Sequence, residues 1–84
     1  MREIYLSFRS VTSAMEALRL LTGNGIRANL RRTPEAMRSR GCGYSLGIPE
    51  RKGQDAVSFL RQKGASFERA FRKDESGIWQ EVVL

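Results

Sequence analysis

The chain has 84 residues and carries fifteen Lys and Arg side chains against nine Asp and Glu, a formal net charge of +6 at pH 7. With one cysteine and no histidine, it lacks the residues for an internal disulfide, for the common zinc and haem sites, and for Ser/His or Cys/His catalytic pairs. No stretch approaches the length of a membrane span, and the first residues do not have the pattern of a secretory signal. The composition therefore favours a single cytoplasmic domain over residues 1–84, without a metal site.

The first half of the chain predicts a strand, a helix and a second strand. Residues 2–8 alternate polar and apolar side chains, as a half-buried strand does. Ser10 is placed to cap a helix that stops at Gly23-Asn24-Gly25. Residues 26–31 alternate again and predict the second strand. The helical spacing assigns five apolar residues to the buried face of this helix: Val11, Ala14, Met15, Leu18 and Leu21.

The middle of the chain predicts a short turn and a third strand. Thr33-Pro34-Glu35 is typical of a helix start, so residues 34–38 are expected to form one helical turn. The alternation from residue 42 to residue 48 predicts a strand that starts at Cys42 and closes at Pro49. It turns four side chains toward the helices: Cys42, Tyr44, Leu46 and Ile48.

The last third of the chain predicts a second helix and two more strands. Residues 54–63 place apolar side chains on one helical face and end at Gly64. Phe67 and Phe71 mark a fourth strand, and residues 78–84 follow a turn signal as a fifth, edge strand. The apolar residues of the second helix are Ala56, Val57 and Leu60.

The two halves resemble each other as strand-helix-strand repeats, over residues 14–28 and 56–67. A duplicated βαβ unit in so short a chain predicts an α+β fold of the ferredoxin-like split βαβ type. In that architecture the antiparallel sheet has the order 4-1-3-2, and both helices cover one face. Residues 74–84 are then an edge-strand extension of the single domain.

The strongest chemical signal is Cys42, which lies between Gly41 and Gly43. Seven of the fifteen cations but only two of the nine anions lie between residues 27 and 52, and Arg38 and Arg40 are the nearest in sequence. Positive charge lowers a thiol pKa from its ordinary value of about 8.5 and favours the reactive thiolate. Glycine neighbours allow close approach and a positive φ. The alternative is that this cysteine only fills space in the core.

The expected topology adds a helix end to this environment. Strands one and three are antiparallel neighbours, so Cys42 is expected near Arg9 at the start of the first helix. The free N–H groups and positive dipole end of a helix stabilise a thiolate. Ser10, Thr12 and Ser13 are candidate hydrogen-bond donors there.

The Ser/Thr residues that open the first helix, Thr33-Pro34, and Cys42-Gly43 at the head of a strand together resemble the selenium/sulfur carrier-like family of small bacterial proteins. The resemblance runs over about residues 3–72. Glu35 stands where the family has Arg, Arg32 where it has an apolar residue, and the spacer before the cysteine is about one residue longer. The resemblance implies a carrier or accessory protein rather than a stand-alone enzyme. Its cysteine would hold sulfane sulfur or selenium, as a persulfide or selenylsulfide, without a resident cofactor.

With no second cysteine to resolve a mixed disulfide, such a carrier would receive its cargo from a donor protein and pass it to an acceptor protein.

Two other functions remain open. RNA-binding domains share this architecture, and Tyr5, Arg27, Asn29 and Arg31 would give the open sheet face weak, salt-sensitive affinity for nucleic acid. The expected register buries Leu46 and Ile48 and favours the thiol interpretation instead.

The other alternative is a regulatory or interaction domain without chemistry. Trp79 in the C-terminal tail is its candidate anchor. It either covers one end of the core or forms a homodimer contact.

Overall fold

The computed structural model describes residues 2–35 and 43–84. Five strands and two α-helices form this part of the chain, and a short 3₁₀ turn at Glu50–Lys52 leads into the second helix. In chain order the elements are β1 (Glu3–Ser7), α1 (Val11–Gly23), β2 (Asn29–Arg32), β3 (Tyr44–Pro49), α2 (Gly53–Gln62), β4 (Arg69–Lys73) and β5 (Trp79–Val82).

The strands form one antiparallel sheet in the order β2-β3-β1-β4-β5. The central strand β1 pairs with β3 through Leu6 and Leu46 and with β4 through Leu6 and Ala70. The tail pairs with β4 through Val82 and Ala70, so the expected fifth strand is present at the sheet edge. The predicted α+β class, with two helices on an antiparallel sheet, is confirmed.

The core lies between the helices and one face of the sheet. Alternate residues of β1 and β3 supply the sheet side because successive strand residues point to opposite faces. Both helices contribute to the same buried cluster and contact each other, so they cover the same face. The most deeply buried members of this cluster are Ile4, Leu6, Phe8, Ala14, Ala17, Leu21, Leu46, Ile48, Ala56, Val57, Leu60 and Ala70. The prediction for the buried face of α2 is confirmed.

The predicted buried face of α1 was wrong at two positions. Val11 and Met15 are 44% and 48% exposed, whereas the helix buries Ala14, Ala17 and Leu21. Small alanine side chains allow the helix axis to lie close to the sheet, so the buried stripe follows the alanines. The prediction instead gave weight to the bulkier side chains.

The ends of three predicted strands also differ from the structure. Pairing of β4 with β1 begins at Arg69 opposite Ser7, so Phe67 precedes the strand and packs beside the core. Tyr44 is 39% exposed because it lies beyond Ser45, the last residue of β3 opposite β1. The second strand begins only at Asn29. Of the predicted turn over residues 34–38, only residues 34 and 35 lie within the described residues.

Gly53 allows α2 to begin directly against the sheet. It is buried, and a Cβ atom at this position would collide with Cδ1 of Ile4. The glycine therefore fixes the separation between α2 and β1. Neither helix of the described residues is long and apolar enough to cross a membrane.

Candidate functional site

The structure describes the predicted cysteine site only on the C-terminal side of Cys42. Cys42, Gly41, Arg38 and Arg40 lie outside the described residues, and the chain is described again from Gly43. The carbonyl oxygen of this glycine accepts a hydrogen bond from the backbone N–H of Thr33 at 2.8 Å.

Two neighbouring features hold this point of the chain at the end of the sheet. Arg32 pairs with Tyr44 as the last pair between β2 and β3, and the Thr33 residue is 3% exposed. The residue that follows Cys42 is therefore held where β2 ends and β3 begins.

The first helix begins at the same end of the sheet. Ser7 and Ser45 form the last pair between β1 and β3. Since these strands are antiparallel, the chain leaves β1 where β3 starts. It reaches Val11, the first residue of α1, four residues after Ser7, the last residue of β1. The predicted placement of the helix start at the end of the sheet that carries Gly43 is therefore supported by the strand pairing.

The start of α1 keeps hydrogen-bonding capacity. The Ser10 side-chain oxygen accepts a hydrogen bond from the Ser13 backbone N–H at 3.1 Å, and the Ser10 hydroxyl donates to the Ser13 hydroxyl oxygen at 3.1 Å. The Ser13 hydroxyl proton is not used in this pair. The N–H groups of Val11 and Thr12 have no partner within a helix by geometry, and Thr12 is exposed.

Positive charge collects at this end of the sheet. The first turn of α1 has no acidic residue, so nothing in that turn neutralises the positive end of the helix dipole. Arg9 and Arg32 are exposed, and neither forms an ion pair with a carboxylate of the described residues. This end of α1 and these two side chains would favour an anion over a neutral group.

Three neighbours of this region were not among the site residues predicted from the sequence. Arg32 and Thr33 are placed by the pairing of β2 with β3, and Arg69 by its pairing with Ser7. The Arg69 guanidinium lies 2.9 Å from Glu81, whose hydrogen bond raises the pKa of Arg69. These residues are brought to the region by the register between neighbouring strands. The alternation of polar and apolar residues within one strand does not specify that register.

The residues proposed for a nucleic-acid face do come together. Tyr5, Arg27, Asn29 and Arg31 line one groove of about 650 Å³ on the sheet face opposite the helices. Trp79 lines it as well, with its ring centroid 4.7 Å from that of Tyr5. The tryptophan therefore contacts the open sheet face and not an end of the core, which was one of the two positions considered for it.

An ion pair crosses β3 in this groove. Arg31 donates from Nε and Nη2 to the two carboxylate oxygens of Glu3, at 3.3 and 3.0 Å. Gly47 lies beneath the pair, and a Cβ there would come within 2.7 Å of Glu3. The hydrogen bond and then the charge of Glu3 raise the pKa of Arg31.

No group of three Cys, His, Asp or Glu residues within 2–35 and 43–84 is arranged to hold a metal ion.

A family model described as "Putative Se/S carrier protein-like" matches residues 3–72. The matched range runs from the start of β1 into β4, contains Cys42, and stops before β5. Neither a curated protein nor a solved structure matches the chain.

Proposed function

The chain belongs to the selenium/sulfur carrier-like family, and from this membership we propose that Cys42 takes up sulfane sulfur from a donor protein and passes it to an acceptor protein. The family match over residues 3–72 is the observation that carries the proposal. The position of Gly43 supports it, because this neighbour of Cys42 lies at the end of the sheet where α1 begins.

The transfer step needs no external oxidant or reductant. The Cys42 thiolate attacks the terminal sulfur of a donor persulfide and forms a new S–S bond. The S–S bond of the donor breaks, and its electron pair leaves on the donor thiolate. Attack by an acceptor thiolate on the terminal sulfur then returns Cys42 to its starting state. Selenium in place of the terminal sulfur follows the same course.

The surroundings favour the thiolate that this step requires. The α1 N-terminus, Arg9 and Arg32 supply positive charge at this end of the sheet, and Arg38 and Arg40 precede the cysteine in sequence. Opposite charge and a helix N-terminus both lower a cysteine pKa. The sum of several weak effects, rather than one strong ion pair, would activate the sulfur.

The transfer step also requires that the partner's sulfur can reach Cys42. A Cβ atom at Gly43 would meet nothing within 4 Å, so the space beside Gly43 is open. Glycine at this position adds no side chain to that open space. We assign it the role of leaving room for the partner's sulfur.

We also assign the fold to the ferredoxin-like architecture. Strand β1 lies between β3 and β4, and β2 flanks β3, which is the neighbour pattern that a split βαβ unit requires. Strand β5 then extends the sheet beyond β4.

The reactivity of Cys42 is tested by the pH dependence of alkylation. We expect the rate with iodoacetamide to level off at a pH below the ordinary thiol pKa of about 8.5. Arg9→Ala should raise the thiol pKa and slow labelling at pH 7 by about twofold to fivefold, the effect of one exposed charge. Arg38→Ala with Arg40→Ala should slow it further, and Cys42→Ser should abolish it.

Arg19→Ala is the matched control for these substitutions. Arg19 is exposed on α1, beyond its first turn, so the variant changes net charge equally without altering the proposed site. Equal slowing by Arg19→Ala would show a diffuse charge effect. A native thiol that resists alkylation while the unfolded chain reacts normally would make Cys42 a packing residue.

A further inference from the structure

The sheet face opposite the helices carries an aromatic surface. Tyr5 on β1 and Trp79 on β5 are both half-buried, with ring centroids 4.7 Å apart and planes tilted by 50°. Phe71, on the strand between them, is 5% exposed and pairs with Tyr5. The two outer rings therefore rest on a packed sheet, and both residues keep part of their surface exposed.

The three acidic residues that line this groove have partners, and Glu75 lies 3.7 Å from Arg2. Glu3 is bound to Arg31 through both carboxylate oxygens. The Asp74 carboxylate accepts hydrogen bonds from the backbone N–H groups of Ser76 and Ile78 at 2.8 and 2.9 Å, which shape the turn before β5. These carboxylates are occupied by contacts within the protein.

Two cations line the groove beside the aromatic surface. Arg27 lines the groove from the side of β2 and forms no ion pair with a carboxylate among residues 2–35 and 43–84. Lys73 ends β4, the strand between the two rings, and its Nζ lies 5.6 Å from the centroid of the Trp79 ring. Asn29 adds an exposed amide to the groove wall.

We propose that this groove binds single-stranded nucleic acid, with a base stacked at Tyr5 and Trp79 and phosphates held by Arg27 and Lys73. Stacking on aromatic side chains beside a basic groove is the general mode of single-strand recognition. A duplex hides the flat faces of its bases. A single mononucleotide has only one phosphate group for the two cations, whereas a strand that crosses the sheet reaches both.

The net charge of +6 favours the approach of a polyanion. This binding uses a different face of the molecule from the sulfur-transfer step and does not depend on Cys42.

The test is binding of a fluorescein-labelled ten-nucleotide oligouridylate, measured by anisotropy at several salt concentrations. Trp79 is the sole tryptophan, so unlabelled oligonucleotide should also quench its intrinsic fluorescence. Arg27→Ala should weaken binding about threefold to tenfold and reduce the salt slope by about one. Trp79→Ala should weaken it at least about fivefold, and Trp79→Phe should retain part of the affinity.

Three controls decide the outcome. Arg19→Ala removes the same charge from the helix side and should leave binding unchanged, and Cys42→Ser should bind as the native chain does. Circular dichroism shows whether Trp79→Ala still folds. If it does not, the affinity of Arg27→Ala and the quenching of Trp79 fluorescence in the native chain test the proposal. Equal weakening by Arg19→Ala, equal competition by a duplex of the same length or by uridine monophosphate, or unquenched Trp79 fluorescence would overturn the proposal.

Discussion

Phe8→Ala is expected to lower the free energy of unfolding by about 3–5 kcal/mol. Phe8 is the largest fully buried side chain among the described residues, with 1% exposure. It lies between the end of β1 and the cap of α1, so its loss leaves a cavity at the end of the sheet that also holds Gly43. A chain of this length has a total stability of about 4–13 kcal/mol, and this one substitution would remove a large part of it.

Urea unfolding followed by circular dichroism measures this loss, with Phe67→Ala as the matched control. Phe67 is only partly buried beside the same core, so its truncation should cost about 1–2 kcal/mol. Similar losses for the two variants would contradict the assigned core.

Removal of residues 75–84 is expected to destabilise the fold by about 2–4 kcal/mol, because it uncovers both faces of β4. On the core side, Val82 and Leu84 pack against the buried cluster, and Arg61 Nη2 donates to the Leu84 carbonyl oxygen at 2.8 Å. On the open side, the truncation removes Trp79 from Tyr5. It also leaves β4 as an unpaired edge strand.

Thermal unfolding and sedimentation measure the effect of this truncation. A lower melting temperature is expected. Loss of a dimeric species in sedimentation would in addition support the predicted homodimer contact at the tail. Val83→Ala is the control, since Val83 is 97% exposed and should be dispensable. An unchanged melting temperature together with unchanged sedimentation would show that β5 contributes neither stability nor an interface.

Local patterns predicted much of the fold. Ser10 caps α1 as its side chain and position suggest, because capping depends on only a few neighbouring residues. The alternation around Leu6 and Leu46 predicted which face of each strand is buried. In both cases the physical cause lies within a few residues of the pattern.

Features that depend on distant parts of the chain were predicted less well. The contact of Trp79 with Tyr5 follows from the register of β5 on β4 and of β4 on β1, and no local pattern specifies two registers at once. The position of Arg32 near Gly43 was not predicted, for the same reason. The exposed face of α1 depends on how closely the helix approaches the sheet, which the sizes of Ala14 and Ala17 determine.

The central claim, that Cys42 carries sulfur, is tested most directly by intact mass spectrometry. The native chain is incubated with glutathione persulfide, freed of excess reagent and analysed without reductant. We expect a mass increase of one sulfur atom, located on the peptide that contains Cys42, reversed by reductant and absent in Cys42→Ser. No added sulfur on the native chain, under conditions in which the unfolded chain takes it up, would contradict the carrier function.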